Sequence, residues 1–478
     1  MHRWLSYRLR QHTAWTFATL AILLSYDGLI VAAEHGGYSR SKGSPNILLI
    51  VADDLNTDLG CYGHPVVKTP NIDRLATRAM RFDHAYCQGP ACNASRASIF
   101  SGLRPLTTDV LDNETPWPSK LKNLEYMPAY FQQLGYYTAT FGKNLDHKRV
   151  PNQPYWDLEV REWGKSPEDD QVVERGQLFP GSTGSMFWAK LKGPDAVTPD
   201  GEMARQAVEM LEDRAGSDTS FFAAVGFRRP HTPYAVPSEY FDLYSQEQLS
   251  LPHVPEGYEN TIPPGARDLK PFRGGREEAL RALAAYYACI SYVDSQVGVL
   301  LDTVDRLKLW EDTVIIFISD HGYHTGHNGR WHKNWLFEQT TLTPMIIAAP
   351  GYSTGGCERV VELIDIYPTL AELCGQTPPA ALEGTSLVPL LEDPNNSWEK
   401  HALTTVGCVD ENDRRAYVGH SVRTADHRFT EWDGGKQGIE LYDLRTDPQG
   451  LINLARDASY AGKVAELRSL LQTMCSSP

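Results

Sequence analysis

The sequence predicts an α/β fold, a large and mostly parallel sheet flanked by helices, with a small antiparallel-sheet subdomain at its C-terminal end. Three observations predict it. Apolar, β-branched runs stop at polar residues: Asn46–Ala52 before Asp53 and Asp54, Phe221–Gly226 before Arg228, Arg229 and His231, and Val314–Ser319 before Asp320 and His321. A helical apolar period fills much of the interval between the last two, and after about residue 376 the pattern changes to shorter segments.

Taken in order, the chain begins with arginines at positions 3, 8 and 10, an apolar run from about Trp15 to Val31, and the small residues Ala32 and Ala33. That layout predicts a secretory signal peptide over residues 1–33. Ser25, Tyr26 and Asp27 interrupt the run short of the roughly 20 apolar residues a bilayer span needs, so the mature chain is expected to hold no stable membrane span. The expected location is periplasmic or secreted. The length beyond the leader suits one large α/β domain over 44–375 and a smaller α+β one over 376–478.

The strands are read from continuity. A run buried on both faces of a parallel sheet has no polar alternation, and Asn46–Ala52 has none. Val314–Ser319 and Phe221–Gly226 share the design, and Pro344–Ala349 reads as a fourth strand without a polar tip. Ligands of open α/β sheets sit beyond the carboxyl ends of strands, so the three polar tips are expected to converge. Leu280, Leu283, Tyr287, Ile290, Val297, Leu301 and Val304 mark a helix from about Glu277 to Leu307, whose aromatic residues are assigned to the core. Short segments at 420–424, 428–432 and 440–444, then an amphipathic stretch near 460–473, read as a small antiparallel sheet closed by a helix.

Composition excludes some functions. The 60 Asp and Glu residues outnumber 45 Lys and Arg, for a formal charge of −15, which repels nucleic acid in bulk. An anionic substrate remains open, because a metal ion and a few buried cations set the local potential of a pocket. The eight cysteines contain no CxxC pair, which leaves no zinc-finger or thioredoxin signal and leaves any disulfide pairing open.

Asp53 and Asp54 at one strand end, with Asp320 and His321 at another, form a set of hard oxygen donors and an imidazole suited to a divalent cation. Three carboxylates favour Ca²⁺ or Mg²⁺. His324 and His327 share a Gly-rich loop with no fixed face and are set aside as ligands.

The segment Cys92-Asn-Ala-Ser-Arg96, followed by a helix-like run to Gly102 and by Leu103-Arg104-Pro105, would in isolation be an ordinary cysteine before a helix. In context it resembles the signature of the formylglycine-dependent sulfatases, with Ala94 where that signature usually carries proline. Other landmarks occur in the family's order: Gly142-Lys143 with His147, His231 inside Gly-Phe-Arg-Arg-Pro-His-Thr-Pro, Asp320-His321-Gly322, and Gly326 to Lys333. Leu441 to Leu444, Asp447-Pro448 and Asn453-Leu454 resemble the family's closing strand and loop. The resemblance covers about 46–456, and within the family is strongest to iduronate-2-sulfatase and its bacterial relatives, although the interval from Lys143 to His147 is one residue longer than usual.

The resemblance implies an alkaline-phosphatase-like fold and a sulfuric ester hydrolase. It implies that a formylglycine-generating maturation enzyme oxidises Cys92 to Cα-formylglycine, whose hydrate supplies the oxygen that attacks sulfur. One Ca²⁺, with Mg²⁺ the lesser alternative, would be held by Asp53, Asp54, Asp320, His321 and the modified Cys92. Lys143 and Lys333 would hold sulfate oxygens, Arg96 would steady the hydrate, His231 would protonate the departing sugar oxygen, and His147 would accept a later proton. Arg228 and Arg229 read either as contacts to an acidic sugar or as solvated surface arginines. The expected substrate is a sulfated carbohydrate, foremost the 2-O-sulfate of a uronic acid. Two rivals are compatible with parts of the same residue set: a two-zinc phosphodiesterase of the alkaline-phosphatase superfamily, and a catalytically inactive relative that binds sulfated glycans.

Overall fold

The computed structural model describes residues 44–117, 125–145, 155–161, 167–267, 272, 274–409 and 415–476. Residues 1–33, where a leader is expected, and His147 lie outside the described residues. Eight strands form the main sheet: β1 (Asn46–Asp53), β2 (Met80–Tyr86), β3 (Tyr137–Gly142), β4 (Leu158–Val160), β5 (Phe221–Pro230), β6 (Thr313–Ser319), β7 (Leu342–Ala348) and β8 (Gly355–Glu362). Their order across the sheet is β8-β2-β7-β6-β1-β5-β3-β4. β1 lies at the centre, parallel to β5 and β6, with Ile50 opposite Val225 on one side and Phe317 on the other. β7 runs antiparallel to both its neighbours, β6 and β2, and the other pairings are parallel. Of the four strands read from sequence, the one without a polar tip is thus the reversed one: its carboxyl end lies at the opposite edge from the others.

The period of two along β1 builds two cores. Leu48, Ile50 and Ala52 face one layer, and Ile47, Leu49 and Val51 face the other. Each buried aliphatic side chain of this kind contributes about 1.5–3 kcal/mol. On the first face lies α3 (Arg276–Leu307), its 32 residues agreeing with the helix read from sequence. It starts at Gly275, whose N–H donates to the Glu278 side chain at 3.0 Å, and stops at Lys308, which is left-handed at φ 56°. α2 (Pro199–Arg214) packs beside it, capped by the Thr198 hydroxyl, which accepts from the Gly201 N–H. The opposite face carries α1 (Cys92–Ser101), every residue of which is buried.

Towards the C-terminus, β9 (Ala402–Val409), β10 (Arg415–Arg423), β11 (His427–Trp432) and β12 (Gly438–Asp443) form an antiparallel meander. The sequence reading caught cores of the last three strands and passed over β9. Leu467 and Leu471 of α4 (Ala461–Ser476) cover Leu403, Val422, Phe429 and Leu441 of this sheet. The meander is tied to the exit of β2, where the Thr405 N–H donates to the Gln88 carbonyl at 2.8 Å. Among the described residues no helix is long and apolar enough to cross a membrane, and the eight cysteines are free thiols.

Candidate active site

Three chain segments deliver the polar tips to one point. β1 ends in Asp53, and the chain turns at once, because Asp54 adopts a left-handed φ of 64°. Beside it β6 delivers Asp320 and His321, both 0% exposed. From the other side of the sheet α1 presents Cys92 as its first residue, 8% exposed. The helix N-terminus adds a favourable dipole for negative charge at that position.

The Cys92 Sγ lies 3.3 Å from Asp53 Oδ1, 3.4 Å from His321 Nε2 and 2.9 Å from the Lys333 ammonium, which donates to it. His321 Nδ1 sits 2.9 Å from the Gly322 carbonyl, an oxygen that can only accept, so Nδ1 carries the proton. Nε2 then faces inward, 3.5 Å from Asp54 Oδ1 and 3.6 Å from Asp320 Oδ1. Ligand atoms of Asp53, Cys92, Asp320 and His321 lie within 4.8 Å of one another, as do those of Asp53, Asp54, Cys92 and His231. This donor set fits a hard divalent ion.

Cations surround the acids. Lys143 pairs with Asp53 and Lys333 with Asp54, while Arg96 Nε donates to Asp320 Oδ2 at 2.9 Å and its guanidinium also donates to the Lys143 carbonyl. Three buried carboxylates thus face three cationic side chains, so an added divalent ion leaves the pocket positive and suited to an anionic ester. Burial raises the Asp53 carboxyl, but Lys143, His231, Arg96 and Lys333 outweigh it and hold the acid well below the usual range. Asp54 is lowered in the same way, against its burial, chiefly by Lys333. The Cys92 thiol is pushed up to about 12, first by burial and then by Asp53, and so stays protonated at neutral pH. As a thiol it is a poor nucleophile.

His231 Nδ1 lies 2.7 Å from the Thr232 carbonyl, and Nε2 lies 3.9 Å from Asp54 Oδ2. Burial pulls its imidazolium down to about 4, against Asp54 and Asp53. The two arginines before it diverge. Asp200 of α2 accepts from both backbone amides, at 2.8 Å from Arg228 and 3.0 Å from Arg229. Successive side chains of a strand point to opposite faces. Arg229 is buried, with its guanidinium donating to the Ala235 carbonyl at 3.1 Å and to the His231 carbonyl at 3.4 Å. Arg228 is half-buried, and burial and then the neighbouring Arg229 pull its guanidinium below the usual range, offset in part by Asp53, Asp200 and Asp54. Both guanidiniums thus reach backbone carbonyls of the His231 turn, Arg228 that of Thr232 at 3.5 Å, and the two differ in burial, Arg228 keeping more of its surface in solvent.

The remaining expectations are placed as follows. Asp53, Asp54, Cys92, Arg96, Lys143, His231, Asp320, His321 and Lys333 come together; His147 is not among the described residues. His324 is buried on a two-residue strand, His324–Thr325, paired with Trp331–His332, instead of lying in an open loop. Sequence reasoning missed Tyr286, whose hydroxyl donates to the Asp54 carbonyl at 2.7 Å, and Ser95, whose hydroxyl donates to the Asp320 carbonyl. Tyr286 sits inside an apolar helical period and carries no local signal.

Comparison with known proteins agrees with this geometry. Residues 45–376 match the Sulfatase family model, and residues 326–477 match the model for the C-terminal part of N-sulphoglucosamine sulphohydrolase. A sulfatase of Formosa agariphila is 32% identical, with 90% of this chain and 87% of the relative covered. Iduronate 2-sulfatase of Homo sapiens is 31% identical, with 92% and 96% covered. The solved phosphonate monoester hydrolase of Agrobacterium radiobacter shares the fold at a TM-score of 0.77 and 24% identity, with 90% and 96% covered. With the family model spanning the main sheet and every residue of the acidic cluster, the chain belongs to the sulfatase family and is a sulfuric ester hydrolase.

Proposed function

We propose that the chain hydrolyses a sulfate ester on a sulfated carbohydrate, and that its substrate is the 2-O-sulfate of a uronic acid. The observation that carries this reading is the turn that joins Arg228 to His231, whose N–H donates to the Arg228 carbonyl at 3.0 Å: a half-buried guanidinium and an imidazole that approaches Asp54 at 3.9 Å stand three residues apart at the end of one strand. A forked guanidinium suits a sugar carboxylate. The similarity to iduronate 2-sulfatase over most of both chains supports the same choice.

In this reading Asp53, Asp54, Asp320, His321 and the modified Cys92 hold one Ca²⁺, with Mg²⁺ the alternative. Cys92 matures to formylglycine, and together the two groups supply a strongly nucleophilic oxygen and neutralise developing charge. Lys143 and Lys333 bind sulfate oxygens and orient sulfur towards position 92. Arg96 keeps the Asp320 carboxylate in place through its hydrogen bond. His231 is neutral in the empty pocket, and the anionic ester raises its proton affinity, so that Nε2 delivers a proton to the departing sugar oxygen. His147 takes the later proton. The same reading assigns residues 1–33 to an export leader, the chain to the periplasm or the exterior, catalysis to 44–375 and an accessory part to 376–478.

The test is sulfate release from a panel of sulfated mono- and disaccharides that differ in uronate and sulfate position. The 2-O-sulfated uronates are expected to react fastest, and Arg228→Ala is expected to raise KM about tenfold on them while leaving KM on neutral sulfated sugars within about twofold. Equal rates on 6-O-sulfated hexosamines would defeat the positional assignment alone. Turnover confined to phosphodiesters would overturn the whole reading.

A further inference from the structure

We propose that Tyr286 is a positioning residue for the cation site: its hydroxyl holds Asp54 in the left-handed turn from which the carboxylate reaches the cluster. The inference rests on the reading of that cluster as a divalent-cation site.

Asp54 is a non-glycine residue at φ 64°, a conformation that persists only where the surroundings over-determine it. Here they do. The Asp54 N–H donates to Asp320 Oδ1 at 3.2 Å, and the Leu55 N–H donates to the Ser319 hydroxyl at 3.0 Å. The Tyr286 hydroxyl takes the two remaining ends, donating to the Asp54 carbonyl at 2.7 Å and accepting from the Asn56 N–H at 3.0 Å. β6 thus fixes one side of the turn and α3 fixes the other. Without the hydroxyl, a buried carbonyl and a buried N–H lose their partner together, and the turn can relax towards ordinary φ, which swings the Asp54 carboxylate away.

The same tyrosine is coupled to Lys333. Tyr323 stacks on Tyr286 with ring centroids 5.5 Å apart and an interplanar angle of 18°, and its hydroxyl lies 3.2 Å from His332 Nδ1. His332 and Asn334, on either side of Lys333, are themselves left-handed at φ 94° and 76°. A stacked tyrosine pair therefore bridges the two strained turns whose side chains, Asp54 and Lys333, form an ion pair over Cys92. An apolar core role would use only the two rings. It would leave unexplained why the Tyr286 hydroxyl, and no backbone group, closes the Asp54 turn.

Tyr286→Phe keeps the stack and the volume and removes only the hydroxyl. Tyr292→Phe is the control: it lies on the same helix, equally buried, and its hydroxyl accepts from the Gly201 N–H at 2.9 Å at the start of α2, away from the cluster. Calorimetric titration of chelator-treated, native-host protein with CaCl₂ is expected to show Ca²⁺ binding weakened about tenfold in Tyr286→Phe, as for other losses of a group that orients a metal ligand, and within about twofold of wild type in Tyr292→Phe. Wild-type affinity in Tyr286→Phe, or equal weakening in both variants, would overturn the proposal and leave the cation site standing. A wild-type protein that binds no Ca²⁺ or Mg²⁺ would overturn the cation site and this proposal with it.

Discussion

Arg96 Nε donates to Asp320 Oδ2 at 2.9 Å, and neither side chain has more than 1% of its surface exposed. The pair joins α1 to the end of β6, and the same guanidinium lies 3.9 Å from Asp53 Oδ1, so ionic contacts of Arg96 hold Cys92's helix against both acids. Two charges in so dry a place are costly unless each has the other. Removing one partner leaves the second uncompensated, and Arg96→Ala is expected to lower unfolding free energy by about 3–5 kcal/mol in urea titrations. Arg96→Lys should recover part of that, because a single ammonium cannot reproduce the fork that also reaches the Lys143 carbonyl. A loss under about 1 kcal/mol in Arg96→Ala would show that solvent enters the pair.

Cys92 as a thiol, raised to about 12, is almost wholly protonated at neutral pH. Activity should therefore track its conversion to formylglycine. Mass spectrometry of the tryptic peptide spanning residues 82–96, from protein made in the native host, is expected to find the aldehyde at Cys92 and the thiol at Cys87. Cys92→Ser should be inactive towards sulfate esters. Full activity in a preparation that carries only the thiol would refute the maturation step.

Cation removal makes a separate prediction. The repulsion among Asp53, Asp54 and Asp320 is balanced by Lys143, Lys333 and Arg96, so the chelated protein should stay folded but less stable. Restoring Ca²⁺ at about one hundred times its dissociation constant should add about 2.7 kcal/mol to the unfolding free energy. Thermal melts with and without chelator measure it, and elemental analysis should find one Ca²⁺ per chain. Two stoichiometric zinc ions would favour the phosphodiesterase alternative.

Asp294 predicts a pH dependence away from the site. It is 2% exposed on α3 and accepts from the backbone N–H groups of Asn71 and Ile72, the first turn of the helix Pro70–Ala76. Burial pushes its carboxyl up to about 6, and those amides offset only part of the rise. A folded-state value above the unfolded one means that the folded chain binds more protons between about pH 4 and 6. The contribution of Asp294 to stability is thus complete below about pH 4 and lost as pH rises through about 6. The stability difference between wild type and Asp294→Asn should fall by on the order of 2 kcal/mol from about pH 4 to about pH 7 in urea unfolding. A difference that grows with pH would mean that the amide hydrogen bonds dominate.

The sequence by itself determined the buried strands, the long helix and the residues at their tips. Each of those signals is local: β1 is apolar on both faces and stops at Asp53, and Cys92 precedes Ser95 and Arg96 within one helical turn. Tertiary structure decided the rest. β7 has the same apolar run whichever way it points, so only its pairing with β6 and β2 reverses it. Arg228 and Arg229 are identical in type and adjacent, and the side of β5 on which each lies separates the half-buried one, which reaches the Thr232 carbonyl, from the buried one bonded to the His231 and Ala235 carbonyls. Tyr286 obeys the apolar period of α3, yet its hydroxyl meets Asp54 across 232 residues of chain. Periodicity records which face of an element is buried, whereas direction, sheet face and the reach of a polar atom depend on partners distant in the chain.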